Sequence, residues 1–415
     1  YLAQGRLKLV REASREKAVL GRIAPHLAQP LPFLFPTRRG TPWTRWKLSA
    51  GVKLYDLLCG LRNFGRSSSL SRAAMLSKLP GLATENLTGG VRYFDALTSD
   101  ARLVIDTLRS AARHGATVVT DMPLVAAEPG DGLWQCQLRD AATGAEVAVR
   151  TRTVVNATGP WSDRLPNSRT RLRVTKGVHL VVDQQRLPTP EAVVVAVGER
   201  ILFAIPWGER VILGTTDTDY EGDLAEPPCD AADVAYVLEA VNGAFPGAHL
   251  AADDVVSTWS GLRPLVADPH GNPSDISRRH EVAQAAPGWW DVTGGKLTTY
   301  RLMAEETVDQ VAHHLGRRGT HCMTAAEPLL TPAESATAGG VLPPPVEAAA
   351  VRRAVRQEWA RQLDDVLLRR TSWGHYYRDR AAVAAQAAAW MAAELGWSEA
   401  ETAPQVERDL AIAGA

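Results

Sequence analysis

The sequence predicts an α/β (α+β) fold, on three observations. Amphipathic segments of helical period alternate with β-branched runs that end in glycine turns. The middle of the chain is almost continuously strand-like. After a Pro-, Ala- and Gly-rich break, the last stretch is helical again.

In order, "LKLVREASREKAVLGRIAPHLA" has apolar residues at helical spacing and runs into the extended, proline-punctuated "QPLPFLFPT". "LYDLLCGLRNF" reads as a short helix. "YFDALTSDARLVIDTLRSAARHG" reads as a longer one, with Ser99 or Asp100 as N-cap, Leu103, Thr107, Leu108 and Ala111 on one face, and Gly115 as the stop. "ATVVTDMPLVAAE", "GLWQCQLRD" and "GAEVAVRTRTVVNATG" then read as three strands, the last feeding a glycine turn. Helix, three strands and glycine turn form an element common in dinucleotide-binding oxidoreductases. A second β region covers "RLRVTKGVHLVVD", "EAVVVAVG", "RILFAIPWG", "RVILGTTDTD", "VVSTWSGLRPLV" and "GWWDVTGG". Beyond Gly316, "TAAEPLLTPAESATAGGVLPPPVEAA" reads as a linker, and two helical stretches follow it.

The totals exclude several functions. Lys+Arg and Asp+Glu are equal at 46 each, so bulk charge argues for neither nucleic acid nor a strongly anionic surface. The four cysteines, Cys59, Cys136, Cys229 and Cys322, form no CxxC pair. That argues against a zinc ribbon, an iron–sulfur site or a disulfide scaffold, and fits a reducing compartment; no metal site is expected. No apolar run approaches the ~20 residues of a membrane helix, and no signal-peptide pattern is present.

Three motifs carry possible chemistry. In "TVVNATGPWSD" a strand ends at Asn156, then Ala157, Thr158 and Gly159 leave room for a ligand's phosphates near the backbone, and Pro160 suits a helix N1. A plain strand–turn–helix fits equally. In "DVTGGKLTTYRLMAEETVDQVAHHLG", Gly294 and Gly295 free the backbone and Lys296, Leu297, Thr298 and Thr299 open a helix, where unpaired N–H groups attract negative charge. Ala304, Val308, Val311, Ala312 and Leu315 would anchor that helix in a core. A Gly-hinged, Thr-capped helix is the alternative, although a lysine there opposes the helix dipole. Third, Arg263 in "WSGLRPL" and Arg278 and Arg279 in "DISRRH" suit phosphate or carboxylate, or are solvated charges. His179 in "KGVHLVV" occupies a strand position among apolar residues, where a satisfied core histidine is the commoner outcome.

Taken together, "NATGPWSD", "KGVHLVV", "FAIPWGERVILGTTDTDYEGD", "SGLRPL" and "GGKLTTYR" resemble the FAD-dependent glycerol-3-phosphate dehydrogenases. "LVREASREKAVLGRIAPHLAQPLPFLFP", "DALTSDARLVIDTLRSAARHGA" and "LLRRTSWG" resemble them too, so the likeness runs in order along nearly the whole chain. "GTTDTDY" and "GGKLTTYR" are the specific motifs; "NATGPW" is shared with wider flavin oxidases.

The resemblance implies an FAD-dependent oxidoreductase fold of the glutathione-reductase type. It implies oxidation of sn-glycerol 3-phosphate to dihydroxyacetone phosphate, with hydride passing from C2 to the flavin and electrons going on to a quinone; an oxidase using oxygen is the near alternative. By position, His179 becomes the base, Arg263 and Arg278 the contacts to phosphate and C2 oxygen, and Lys296 a charge beside substrate and ring. Tyr1 lines the same pocket. Leu297 and Thr298, with Gly295 and Lys296, face the ring edge; Ala157, Thr158 and Gly159 approach the FAD pyrophosphate. Pro123–Val125 would lie by the adenine. The implied domains are 1–94 (part of the FAD domain and part of the substrate domain), 95–172 (FAD), 173–258 (substrate), 259–320 (FAD with the active-site loop), 321–345 (linker) and 346–415 (helical). The resemblance further implies a cytoplasmic location, peripheral on the inner face of the cytoplasmic membrane, and a homodimer.

The family also carries a GxGxxG turn in an opening βαβ unit, and no GxGxxG occurs in this sequence. The expectation is an N-terminally shortened chain, with an inactive chain unable to hold FAD as the alternative.

Overall fold

The computed structural model describes residues 7–60, 63–198, 200–266, 280–317, 319 and 321–414. The chain opens with α1 (Leu7–Ile23), β1 (Gln29–Arg38), α2 (Arg45–Leu58), β2 (Ser68–Leu70), α3 (Arg72–Lys78), β3 (Leu87–Leu97) and α4 (Asp100–Arg113). Helix α4 starts at Asp100 because Ser99 caps it, its hydroxyl accepting from Arg102 N–H at 3.4 Å. "YFDAL" just before it is strand, not helix: it pairs with β1 in an antiparallel ladder. Cross-strand pairing outweighs the helical spacing of those few residues.

A meander of β4 (Leu124–Gly130), β5 (Leu133–Arg139) and β6 (Glu146–Thr151) follows as a separate three-stranded sheet. Then come β7 (Val154–Asn156), β8 (Leu172–Asp183), β9 (Ala192–Val197), β10 (Arg200–Trp207), β11 (Arg210–Gly214), β12 (Thr218–Asp219), α5 (Ala231–Ala244) and β13 (Val255–Val266). Among the described residues β8–β13 join β1–β3 in a nine-stranded sheet, ordered β12-β8-β11-β10-β9-β1-β3-β2, with β13 also paired to β8. The domain boundary expected after residue 258 therefore falls inside β13, which belongs to this sheet over its whole length.

The two faces of β8 differ. Val178, Leu180 and Val182 are fully buried and pack with Val193, Leu202, Val211, Leu213 and the α5 residues Val237 and Val241. Each such side chain contributes roughly 1.5–3 kcal/mol by leaving water. Alternation along the strand turns Thr175, Gly177, His179 and Val181 to the opposite face.

A third sheet joins β14 (Glu281–Ala286), β15 (Trp289–Thr293) and β7, with β7 and β15 parallel. Helix α6 (Tyr300–His314) packs on it. Its expected aliphatic stripe is not its anchor: Ala304 is exposed, Val308 is 62% exposed, and the buried residues are Arg301 and Thr307. Arg301 forks onto Glu16 of α1 at 2.7 and 2.8 Å, and Trp290 Nε1–H donates to Gln310 at 3.1 Å. A charge-assisted pair and a polar tie thus hold the helix.

The expected linker is packed. Leu329, Leu330 and Val341 are buried, and α7 (Pro332–Ser335) is capped by Thr331 and paired through Glu334 with Arg109 and Arg113. The closing module comprises α8 (Ala348–Gln357), a π turn (Asp365–Arg370), α9 (Trp373–Tyr376), α10 (Arg380–Leu395) and α11 (Glu399–Gly414), around Val351, Leu363, Leu367, Trp373 and Met391. It is tied to α4 by a buried fork from Arg102 to Glu358 at 2.7 and 3.0 Å.

Candidate active site

Two glycine turns leave the third sheet side by side. β7 and β15 run parallel with Asn156 opposite Asp291, so the turns at 157–159 and 294–296 emerge at the same, carboxyl end. In an open α/β sheet that end is where ligands bind. A buried polar node fixes the pair. Asn156 Nδ2–H donates to Asp291 at 2.9 Å and to Ser162 O at 2.9 Å; Asp291 also accepts from Trp289 Nε1 at 3.0 Å, Ser168 Oγ at 2.9 Å and Arg169 N–H at 2.9 Å. Burial alone pushes the Asp291 carboxyl up, but these donors outweigh it and hold it below the usual carboxylate range.

In the first turn Thr158 precedes a 3-10 turn over Gly159–Arg164, and Gly159 has φ of 58° with open space where a Cβ would stand. Pro160 is one residue into that turn rather than at the start of an α-helix. In the second turn Gly294 and Gly295 have φ of 68° and 81°, as glycine allows. Lys296 is the residue before a short 3-10 turn, Leu297–Thr299, that leads into α6. Its backbone is extended, so it stands ahead of the helical dipole rather than in the first helical turn. The first N–H groups, of Leu297 and Thr298, have no acceptor inside the turn. Leu297 and Thr298 line a small cavity, about 70 Å³, together with Lys17, Asp95 and Thr98. Open space at Gly159, the paired turns and the N–H groups that open the 297–299 turn beside a cavity suit the phosphates and ring edge of a flavin dinucleotide.

His179 and Arg263 lie on one face of the large sheet. Along the β8–β13 ladder, Thr175 faces Arg263, Gly177 faces Gly261 and His179 faces Trp259. The Arg263 guanidinium folds over Gly177: a Cβ there would stand 2.4 Å from Nη2 and 2.6 Å from Nη1. Arg263 donates to Thr215 Oγ1 at 3.0 Å, to Thr216 O at 3.2 Å and to Asp217 at 3.2 Å. Burial pushes the His179 pKa down to about 4, the Arg263 charge adds to that, and Asp100 opposes it. The imidazole is therefore neutral at physiological pH. Gly177→Ala should displace the guanidinium and lower kcat/KM about tenfold or more while the melting temperature moves little; an unchanged kcat/KM counts against Arg263 in the site.

Tyr1 and Arg278, with Arg279, lie outside the described residues. Pro123–Val125 sit at the start of the β4–β6 meander, where Pro123 O accepts from Arg139 N–H at 3.0 Å.

Residues 1–310 match the FAD dependent oxidoreductase family, and residues 284–402 match the C-terminal domain of alpha-glycerophosphate oxidase. A glycerol-3-phosphate dehydrogenase from Mycobacterium leprae is 36% identical over 99% of this chain and 78% of its own length. The chain belongs to the FAD-dependent glycerol-3-phosphate dehydrogenase family. It is also 40% identical to glycerol-3-phosphate dehydrogenase 2 of Mycobacterium bovis, over 80% of this chain and 57% of that protein. A solved glycerol-3-phosphate dehydrogenase from Bacillus halodurans, complexed with FAD, superimposes with a TM-score of 0.79 at 27% identity, covering 97% of this chain and 86% of that one.

Sequence reading missed parts of this candidate site. Lys17 is buried on α1, with Nζ 2.8 Å from Tyr55 Oη, 3.2 Å from Asn63 Oδ1 and 3.2 Å from Asp95. Burial pulls its pKa down, but Asp95 and Tyr55 hold it above the usual value, so a fixed cation stands by the Leu297–Thr298 cavity. A lysine seven residues after the buried Val10, on the inward side of an amphipathic helix, was the available signal. Gly177 and the Asn156–Asp291 tie join residues through strand pairing, and no local pattern marks them.

Proposed function

We propose that this chain oxidises sn-glycerol 3-phosphate to dihydroxyacetone phosphate with FAD as cofactor and a quinone as electron acceptor. The observation that carries the reading is the shared sheet face holding a neutral, half-buried His179 beside the Arg263 fork. Bound FAD would supply the hydride acceptor. Gly295, Lys296, Leu297 and Thr298 would meet its ring edge, and Ala157, Thr158 and Gly159 its pyrophosphate. Arg263, with Arg278, would bind the phosphate and the C2 oxygen, since a guanidinium matches both. Tyr1 would line the same pocket. His179 would take the C2 hydroxyl proton, and its neutral ring is the form that can accept one. Lys296 and the N–H groups of Leu297 and Thr298 would favour negative charge at the ring edge.

The match to the C-terminal domain of alpha-glycerophosphate oxidase favours a second reading, with oxygen as acceptor. Turnover with a quinone analogue, compared with peroxide release in air, separates the two. Reduction of the analogue without stoichiometric peroxide is expected; peroxide equal to substrate consumed contradicts the quinone reading.

A quinone acceptor implies a membrane surface nearby. None of the described helices is long and apolar enough to cross one. Helix α2 supports a peripheral contact. Leu48 and Val52 pack inward, while Trp46 is 70%, Leu57 75% and Leu54 42% exposed, with Arg45, Lys47 and Lys53 among them. An indole, two leucines and cations on one exposed side suit an anionic lipid interface. Trp46→Glu with Leu57→Glu should abolish co-sedimentation with anionic vesicles and leave turnover of a water-soluble acceptor unchanged. Undiminished vesicle binding counts against α2.

A further inference from the structure

The His179 ring is the first of three. It stacks on Trp259 with centroids 5.2 Å apart and planes 20° apart, and Trp259 meets His375 at 5.0 Å and 51°. His179 and Trp259 are cross-strand partners in the large sheet, whereas His375 comes from α9 of the C-terminal module. The rings therefore bridge two parts of the fold.

The bridge is fixed at the far end. Ser257 Oγ–H donates to His375 O at 2.7 Å, Arg210 Nε–H donates to Tyr376 O at 2.7 Å, and Glu209 N–H donates to Tyr376 Oη at 2.9 Å. At the near end, His179 Nδ1 is buried and makes no hydrogen bond among the described residues. Active-site histidines are commonly oriented by a partner on the second ring nitrogen. Here that nitrogen meets no such partner among the described residues, and the stack and strand packing hold the plane of the ring. The charged groups that face His179 are Arg263 from β13 and Asp100 from α4, and neither hydrogen-bonds to it in the structure.

We propose that Trp259 and His375 are positioning residues for His179, through which the C-terminal helical module sets the orientation of the base. This rests on the reading of His179 as the base. A misplacement of about 1 Å from a change away from the chemistry can cost up to ~100-fold in rate, so the effect is measurable.

The experiment uses the FAD-loaded full chain with glycerol 3-phosphate. His375→Ala should lower kcat about tenfold or more with KM within about threefold, because the fault is alignment and not binding. It should also raise the acid limb of kcat/KM towards pH 6.5, as water reaches the stack. His375→Phe, which keeps a ring, should keep kcat within about threefold of the parent. Wild-type kcat and acid limb in His375→Ala overturn the proposal, as does an equal loss in the alanine and phenylalanine variants. If His375→Ala does not fold, Trp259→Leu keeps bulk without the stack and must show the same loss; wild-type kcat there overturns the proposal. His179→Phe separates the two levels. If it retains full kcat, the base reading fails and this proposal with it. If it is inactive while His375→Ala and Trp259→Leu are normal, the positioning role alone fails.

Discussion

His179→Phe is expected to lower kcat by at least about 100-fold, with KM changed only a few-fold and flavin absorption unaltered. Phenylalanine keeps the flat ring against Trp259 and removes only the nitrogens, so the loss reports proton transfer rather than packing. The pH dependence has a definite sign. An ordinary histidine takes a proton near pH 6.5, whereas this one is held to about 4 by burial and by Arg263. The free enzyme's base therefore stays competent well below pH 6.5, and the acid limb of kcat/KM should lie near 4. Stability runs the other way. Between those two pH values the unfolded chain binds a proton that the folded one refuses, so acid favours unfolding. His375, also held to about 4 by burial with Arg380 adding to it, acts in the same sense. The melting temperature should fall as pH drops from 6.5 towards 4, and His179→Phe should flatten part of that fall.

The second large effect concerns architecture. Asp291→Ala should destabilise the fold on the order of 3–5 kcal/mol and weaken FAD binding together. Asp291 is 2% exposed and takes donors from β7, from β15 and from the 168–170 segment. Without it those donors are buried without an acceptor, and the two glycine turns lose their common anchor. Its lowered pKa adds stability that is present above the usual carboxylate range and lost as pH falls through the folded value. Thermal melts with and without FAD check this. A variant as stable as the parent, with unchanged FAD affinity, would show that the turns are held some other way.

Much of this was legible in the sequence. "VTGGKLTTYR" announced a glycine-freed backbone before a helix, and the structure has both positive φ values there. "TKGVHLVVD" and "VVSTWSGLRPLV" read as strands, and so they are. What could not be read was which strands lie side by side. The pairing of β8 with β13 puts Arg263 over Gly177 and Trp259 on His179, and those contacts span about 80 residues of sequence. The same holds for Asn156 and Asp291. Periodicity misled at α6, where Ala304 and Val308 look like a core stripe. Arg301, paired with Glu16, and the Trp290–Gln310 tie hold that helix instead, and charged anchors leave no apolar period. Composition misled at 321–345, where a Pro-, Ala- and Gly-rich stretch conceals buried Leu329, Leu330 and Val341.

We propose that this sheet face and these paired turns form one site for FAD-dependent oxidation of glycerol 3-phosphate. Anaerobic mixing of the FAD-loaded chain with glycerol 3-phosphate, followed by flavin absorption, tests it most directly. The predicted result is loss of the oxidised flavin's visible band with glycerol 3-phosphate but not with glycerol, slowed strongly in Arg263→Ala. A flavin that stays oxidised with glycerol 3-phosphate, or that bleaches equally with glycerol, would contradict a glycerol 3-phosphate site there.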